Sequence, residues 1–448
     1  MTLHALSSRR AVTSLASASV LIAAGMSAAA QDLHFTYLWH MEQPIYWPDQ
    51  QPFGADRYET AWTSIQQKDA GSAYPLNNLR DIFGKDDRVA AYQFRVKDSI
   101  DSIRWTNEGG AQVSYSGGLI ENIESLGNAF QLGYGSNWAG DYQTARNWTT
   151  VGGKPRLDVV VFPFHHPLCP LLEESTLRRQ IQLYQAAYPQ AWGSTPGVSR
   201  GFFPSEMAFS TRMIKVLDQE GIDWSFVSSE KLSRACADFP LQFGSGGVNC
   251  DPPNKADQVN PPQGDYERIG ISRGCGPAEA VPFAFTPQRA QHADPETGQV
   301  YEIIVVPCGQ ALGWEDGFSP LSVQRLNDLA ARPSDRPMLL TLAHDGDNAW
   351  GGGFNYYMNA VSQTVSNAQA AGHTASTVEQ YLADHPVPAG AVVHVEDGAW
   401  GNADGDFGSP QFWNWNYPPV NAQGQVDIEN GWAEDIRNWA VITSAQNH

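Results

Sequence analysis

Short, nearly unbroken apolar runs recur along the chain, and they constrain its fold more than any other feature. They are "LHFTYLW" (33–39), "VAAYQF" (89–94), "LDVVVFPF" (157–164), "RGFFP" (200–204), "WSFVS" (224–228), "YEIIVVP" (301–307), "PMLLTLAHDGD" (337–347) and "AVVHV" (391–395). A strand covered on both faces has no solvent side, so it reads as continuous and not alternating hydrophobicity. Amphipathic helical stretches lie between the runs: "STLRRQIQLYQAAY" (175–188), "STRMIKVLDQEG" (210–221) and "NYYMNAVSQTVSNAQAAG" (355–372). Strand alternating with helix predicts parallel βα units in an α/β fold. About seven or eight such units suit a TIM-like barrel better than a doubly wound sheet. No GxGxxG follows a strand, which argues against a dinucleotide site.

Two segments break the rhythm. From about 231 to 298 the chain is rich in Gly, Pro, Asn, Asp and Cys. It predicts a long insertion at the barrel rim, placed to lid the site. Residues 396–448 hold the Trp- and Asp-rich "EDGAWGNADGDFGSPQFWNWNYPP" and then a helical-looking segment. The barrel domain is therefore expected over 31–395, with a C-terminal segment over 396–448.

Residues 1–30 read as a secretory signal: Arg9 and Arg10, an apolar small-residue run, then "SAAA" before Gln31. Removing them takes away two arginines and no acidic residue, so the net charge goes from −20 to −22. That charge argues against nucleic acid or an anionic membrane surface as partner. In an exported chain the five cysteines are candidates for disulfides, with Cys236–Cys250 the first pairing expected and Cys275–Cys308 the second.

Barrels of parallel strands carry their reactive groups at the C-terminal strand ends. Four runs end that way here: "LWHMEQP", "FPFHHPLCPLL", "GFFPSEMAFS" and "LAHDGDNAWGGG". Glu206 and Asp345 each follow a buried strand, and a pair of carboxyl groups flanking a sugar is the usual equipment for breaking a glycosidic bond. A helix cap or a rim salt bridge is the plainer reading of either one alone. His40, His165 and His166 are candidate donors to sugar hydroxyls, with Glu42 and Gln43 beside them and Tyr46 and Trp47 next in the chain. Trp350, Trp400, Trp413 and Trp415 are candidate stacking surfaces, against an equal expectation of ordinary packing. His40, His166, His344 and Asp345 also form a possible zinc set, the basis of a metal-dependent glycosidase or polysaccharide deacetylase reading. No GxSxG elbow is present for a serine hydrolase.

Taken in order, these motifs resemble glycoside hydrolase family 57. Its H-x-H-Q-P box is matched by "HMEQP", with His40, Gln43 and Pro44 in place and Glu42 where the second His belongs. "SGGLIENIESLG" resembles its Gly-led second box, and "HPLCPLL" (166–172) its H-P-x-x-P-L-L run. Glu206 in "GFFPSEMAF" matches the nucleophile. "DGDNAWGG" resembles the D-x-E-x-F-G pattern, with Asp345 matching the acid/base and Asp347 in place of the Glu, a rival for the role. The resemblance implies an incomplete, seven-stranded (β/α) barrel followed by a helical region. It also implies a retaining mechanism on α-glucans and no cofactor. The departures in the first and fourth boxes keep a non-catalytic glucan-binding protein in view.

Overall fold

The computed structural model describes residues 33–45, 58–73, 77–240, 253, 255–268 and 278–400, without the side chains of 310, 311, 349 and 350. The signal segment, Tyr46 and Trp47, Cys250, Cys275 and everything after Trp400 lie outside these residues. The expected disulfides and the C-terminal helix therefore lie outside them too.

Twelve strands are present among the described residues: β1 (Leu33–Met41), β2 (Ala111–Tyr115), β3 (Leu157–Val159), β4 (Gly201–Phe202), β5 (Trp224–Ser228), β6 (Tyr266–Arg268), β7 (Ala278–Ala280), β8 (Gln288–Ala293), β9 (Val300–Cys308), β10 (Met338–Asp345), β11 (Thr374–Ala375) and β12 (Val392–Val393). Seven of them pair in a parallel circuit. β10 joins β1, β1 joins β2 and β2 joins β3. β4 joins β5, β5 joins β9, and β9 returns to β10. Two narrow seams complete the ring: a bridge between Val161 and Phe202, and the single pair Thr341–Cys308. This is a (β/α) barrel one unit short of eight, as the motif order implied.

The centre of the barrel explains the apolar runs. Every residue of β1 is buried, and so is β10 up to its last residue, Asp345. Each is covered inside by barrel side chains and outside by helices, so neither face calls for polar residues. Trp39 on β1 is wholly buried, and its indole donates to the Tyr356 hydroxyl at 2.9 Å. Truncation of a core Trp typically costs about 3–5 kcal/mol.

Two strand expectations fail. Residues 89–94 lie in a continuous helical stretch from Asp86 to Ile103 with a π-helical turn at Ala91–Arg95. Tyr92, Val96, Ile100 and Ile103 are all buried, a helical repeat that a six-residue window cuts off. Residues 391–395 supply only β12, which pairs with β8 at the sheet edge and not in the barrel ring. The ring position lost at 89–94 is taken by β2, "AQVSY". Of the stretch expected as a rim insertion, β6 and β7 form a separate antiparallel pair and β8 extends the main sheet beside β9. The helix Ser229–Arg234 at its start is fully buried.

Candidate active site

Strand register brings the site together. His40 on β1 stands beside Asp345 on β10 and beside Ser114 on β2. The turn after β10 lies tight against β1, with the Gly346 N–H donating to the His40 carbonyl at 2.8 Å. A Cβ at Gly346 would meet Met41 and Trp39 at 2.7 Å, so only glycine allows this approach.

His40 is buried in an aromatic nest, with ring centroids 5.4 Å from Phe162 and 5.3 Å from Phe203. Its Nδ1 meets Ser114 Oγ at 2.8 Å and its Nε2 meets His166 Nε2 at 3.1 Å. Burial, and then the His166 charge, push its pKa well down, so it is a neutral ring at pH 7. His166 continues the chain of contacts: its Nε2 lies 3.6 Å from Glu206 Oε1.

Glu206 sits just past β4 in a left-handed conformation, φ 59°, and His166 has the same φ of 59°. Non-glycine residues adopt this region at a cost of order 1–3 kcal/mol, and such strain concentrates at functional sites. The Glu206 carboxylate is held by Trp400, whose indole donates to Oε2 at 2.6 Å. The Trp400 backbone N–H donates to the Glu206 carbonyl at 3.0 Å. Burial raises the Glu206 pKa to about 7; the Trp400 hydrogen bond opposes that rise and the Asp345 charge adds to it.

Asp345 is exposed at the end of β10, with Asn348 Nδ2 donating to its Oδ2 at 3.3 Å. Asp347 is 2% exposed and accepts from the Tyr92 hydroxyl. Burial, then the neighbouring Asp345 charge, lift its pKa to about 8. Glu42 has a buried Oε2 with no hydrogen-bond partner, and burial raises its pKa against the pull of His166 and Ser116.

The remaining candidates separate. Gln43 is buried and turns back on Pro44 O at 3.1 Å. His165 faces Gln180 on the helix Glu174–Trp192, its N–H donating to Oε1 at 2.9 Å. His344 points away from Asp345, since successive strand residues face opposite sides. Its Nε2 meets the Tyr356 hydroxyl at 2.7 Å and Asp316 at 3.2 Å. The proposed zinc set therefore does not converge, and no group of three His, Cys, Asp or Glu placed to hold a metal occurs among the described residues. The Trp350 side chain, Trp413 and Trp415 lie outside them. Sequence reading missed Ser114, Tyr92 and Phe203. Ser114 and its strand were hidden by their polar letters. Tyr92 was taken for strand. Phe203, inside "GFFPS", was read only as core.

The parallel β/α barrel thus carries two carboxyl groups and a histidine pair at the C-terminal ends of its strands. Residues 36–239 match the model of glycosyl hydrolase family 57. An alpha-amylase of Niallia circulans is 28% identical over 455 residues, covering 92% of this chain and 34% of that protein. The exo-type maltose-forming amylase from Pyrococcus sp. ST04 superposes with a TM-score of 0.50 at 14% identity, over 87% of this chain and 57% of that one. The 4-alpha-glucanotransferase from Thermococcus litoralis gives a TM-score of 0.49 at 15% identity, over 83% and 43%. At 14% identity the Pyrococcus structure speaks to fold alone. The chain spans about a third of the curated relative's length.

Three carboxyl groups raised to about 7 or 8 set an expected stability profile. Asp347 lies at about 8, and Glu206 and Asp158 at about 7. Between the ordinary carboxyl range and these values the folded chain binds more protons than the unfolded one, so stability falls as pH rises through that window. The apparent Tm is expected to drop from pH 5 to pH 8, and Asp347→Asn should flatten that slope. An unchanged slope in the variant would show that Asp347 is not the protonated group.

Proposed function

We propose that the chain is a retaining glycoside hydrolase or transglycosylase acting on α-glucans. One observation carries the reading: Glu206 and Asp345 sit at the C-terminal ends of two barrel strands, close enough for the Asp345 charge to raise the Glu206 pKa. The family match and the alpha-amylase relative support it. In the first step the Glu206 carboxylate attacks the anomeric carbon. The glycosidic C–O bond breaks, and the Asp345 carboxyl gives its proton to the departing oxygen. In the second step water, or the hydroxyl of another sugar, attacks the same carbon. Asp345 takes its proton, and the bond to Glu206 breaks. Two displacements restore the starting anomeric configuration. His40 and His166 orient hydroxyls of the bound ring, and Trp400 holds the nucleophile. Of the two aspartates, Asp345 suits the acid/base role because it opens to the cleft while Asp347 is enclosed beside Tyr92.

Purified protein incubated with maltooligosaccharides and starch tests this through size separation of the products. Shorter sugars mean hydrolysis, a ladder of longer ones means transfer, and new branch points mean branching. Absence of any product on prolonged incubation would overturn the proposal. We infer also that residues 1–30 direct export to the periplasm or beyond; detection of a mature form beginning near Gln31 outside the cytoplasm tests that.

The Glu206 pKa sets a pH prediction. The nucleophile must be ionised, so kcat/KM is expected to fall below about pH 7, tenfold per unit once Glu206 is largely protonated. Trp400→Phe removes a donor that favours the carboxylate, so the acid limb should move to higher pH. A limb that stays put in Trp400→Phe would assign it to another group.

A further inference from the structure

The segment Glu396–Trp400 forms a short strap under the site, and its anchor is a buried ion cluster. The Arg234 guanidinium, on the helix Ser229–Arg234, grips Glu396 with two nitrogens, at 2.5 Å to Oε2 and 3.1 Å to Oε1. The Lys231 ammonium lies 3.8 Å from the same carboxylate, and Lys231 and Glu396 are 1% and 2% exposed. The strap's backbone starts from the same helix, the Glu396 N–H donating to Lys231 O at 3.3 Å. It then passes over the Lys231 stem so closely that a Cβ at Gly398 would meet Lys231 Cε at 2.5 Å. Gly398 pairs with Phe209 in both directions, at 2.9 and 3.2 Å. Two residues on, Trp400 closes on Glu206 through both backbone and indole.

We propose that Lys231 is a positioning residue: with Arg234 it pins Glu396, sets the height of the strap, and so holds Trp400 against the nucleophile. A buried ammonium is costly unless it does something a hydrophobe cannot, and here it supplies both the counter-charge and the floor on which Gly398 rests. Glu230, Glu396 and Arg234 are the charged groups facing Lys231. Glu206 itself faces His166 from the loop after β3, Asp345 from β10 and Glu42 from the end of β1. None of these belongs to the strap, so losing the strap changes one partner of the Glu206 carboxylate, the indole, together with the Trp400 N–H on the Glu206 carbonyl.

The inference rests on Glu206 being the nucleophile, and its test is read without turnover. The glutamate side-chain carboxyl carbons are followed by ¹³C NMR over pH in the full chain, with the Glu206 signal assigned by its loss in Glu206→Gln. Lys231→Met should move the Glu206 midpoint upward by about one pH unit, as Trp400→Phe does, and the double variant should shift no further than either alone. Gly398→Ala, which leaves the ion cluster intact and lifts the strap, should give the same shift; it decides the matter alone if Lys231→Met does not fold. A wild-type midpoint in the variants, or shifts that add in the double variant, overturns the proposal. A moved titration in a protein without glucan turnover would sink the function and keep the positioning role. Turnover with an unmoved titration would do the reverse.

Discussion

Glu206→Gln is expected to abolish turnover, by on the order of 10⁴-fold or more, while glucan binding stays within a few-fold. The amide keeps the shape of the side chain and still accepts from the Trp400 indole, so the left-handed turn and the strap above it have no reason to move. What disappears is the carboxylate charge that the proposed attack on the anomeric carbon needs. A loss of 10⁴ corresponds to about 5 kcal/mol of transition-state stabilisation, more than any packing change at a partly buried position would produce in kcat alone. Steady-state kinetics with maltooligosaccharides, beside calorimetric binding of the same sugars, separates the two quantities. Turnover within tenfold of wild type would remove Glu206 from the nucleophile role.

The second large effect is at the aspartates. Asp345→Asn should lower kcat on maltooligosaccharides by about 10²–10⁴-fold, the usual contribution of a placed general acid. The loss should shrink on an aryl glycoside with an acidic phenol, because that leaving group departs without a proton. Azide should then speed the second step, since an anionic nucleophile needs no base. Asp347→Asn is expected to do neither. Its carboxyl is enclosed, accepts from Tyr92 and sits at about 8, so at neutral pH it is mostly a protonated group next to a tyrosine cluster. Leaving-group dependence in Asp347→Asn, and none in Asp345→Asn, would exchange the two assignments.

Much of the barrel was legible because its central strands are buried on both sides. β1, β5, β9 and β10 fall within two residues of the apolar runs that announced them. β2 escaped because Gln112 and Ser114 interrupt its run with polar letters. Both are buried; Gln112 Oε1 accepts from the Thr36 hydroxyl at 3.2 Å while its Nε2 has no partner among the described residues, and Ser114 Oγ meets His40. A partner 76 residues away supplies the Gln112 bond, which no local window contains. Position after an apolar run placed Glu206 and Asp345 at strand ends, and the structure has them just past β4 and at the end of β10. The Asp345–Asp347 choice needed burial, which alternates by residue and turn in ways the motif does not state. The helix at Ser229–Arg234 was least legible of all. "SEKLSR" reads as a solvated face, yet every residue of it is buried, and its two cations, Lys231 and Arg234, are answered by Glu396 far along the chain.

His166, Glu206 and Met207, at or beside the proposed nucleophile, all hold positive φ angles, at 59°, 59° and 49°. Asparagine or glycine would sit there more comfortably than the residues the chain uses. Laboratory evolution that selects only for survival at high temperature would therefore drift toward those two residues and return sturdy, inert protein. Libraries built on this scaffold need a catalytic sieve in every round.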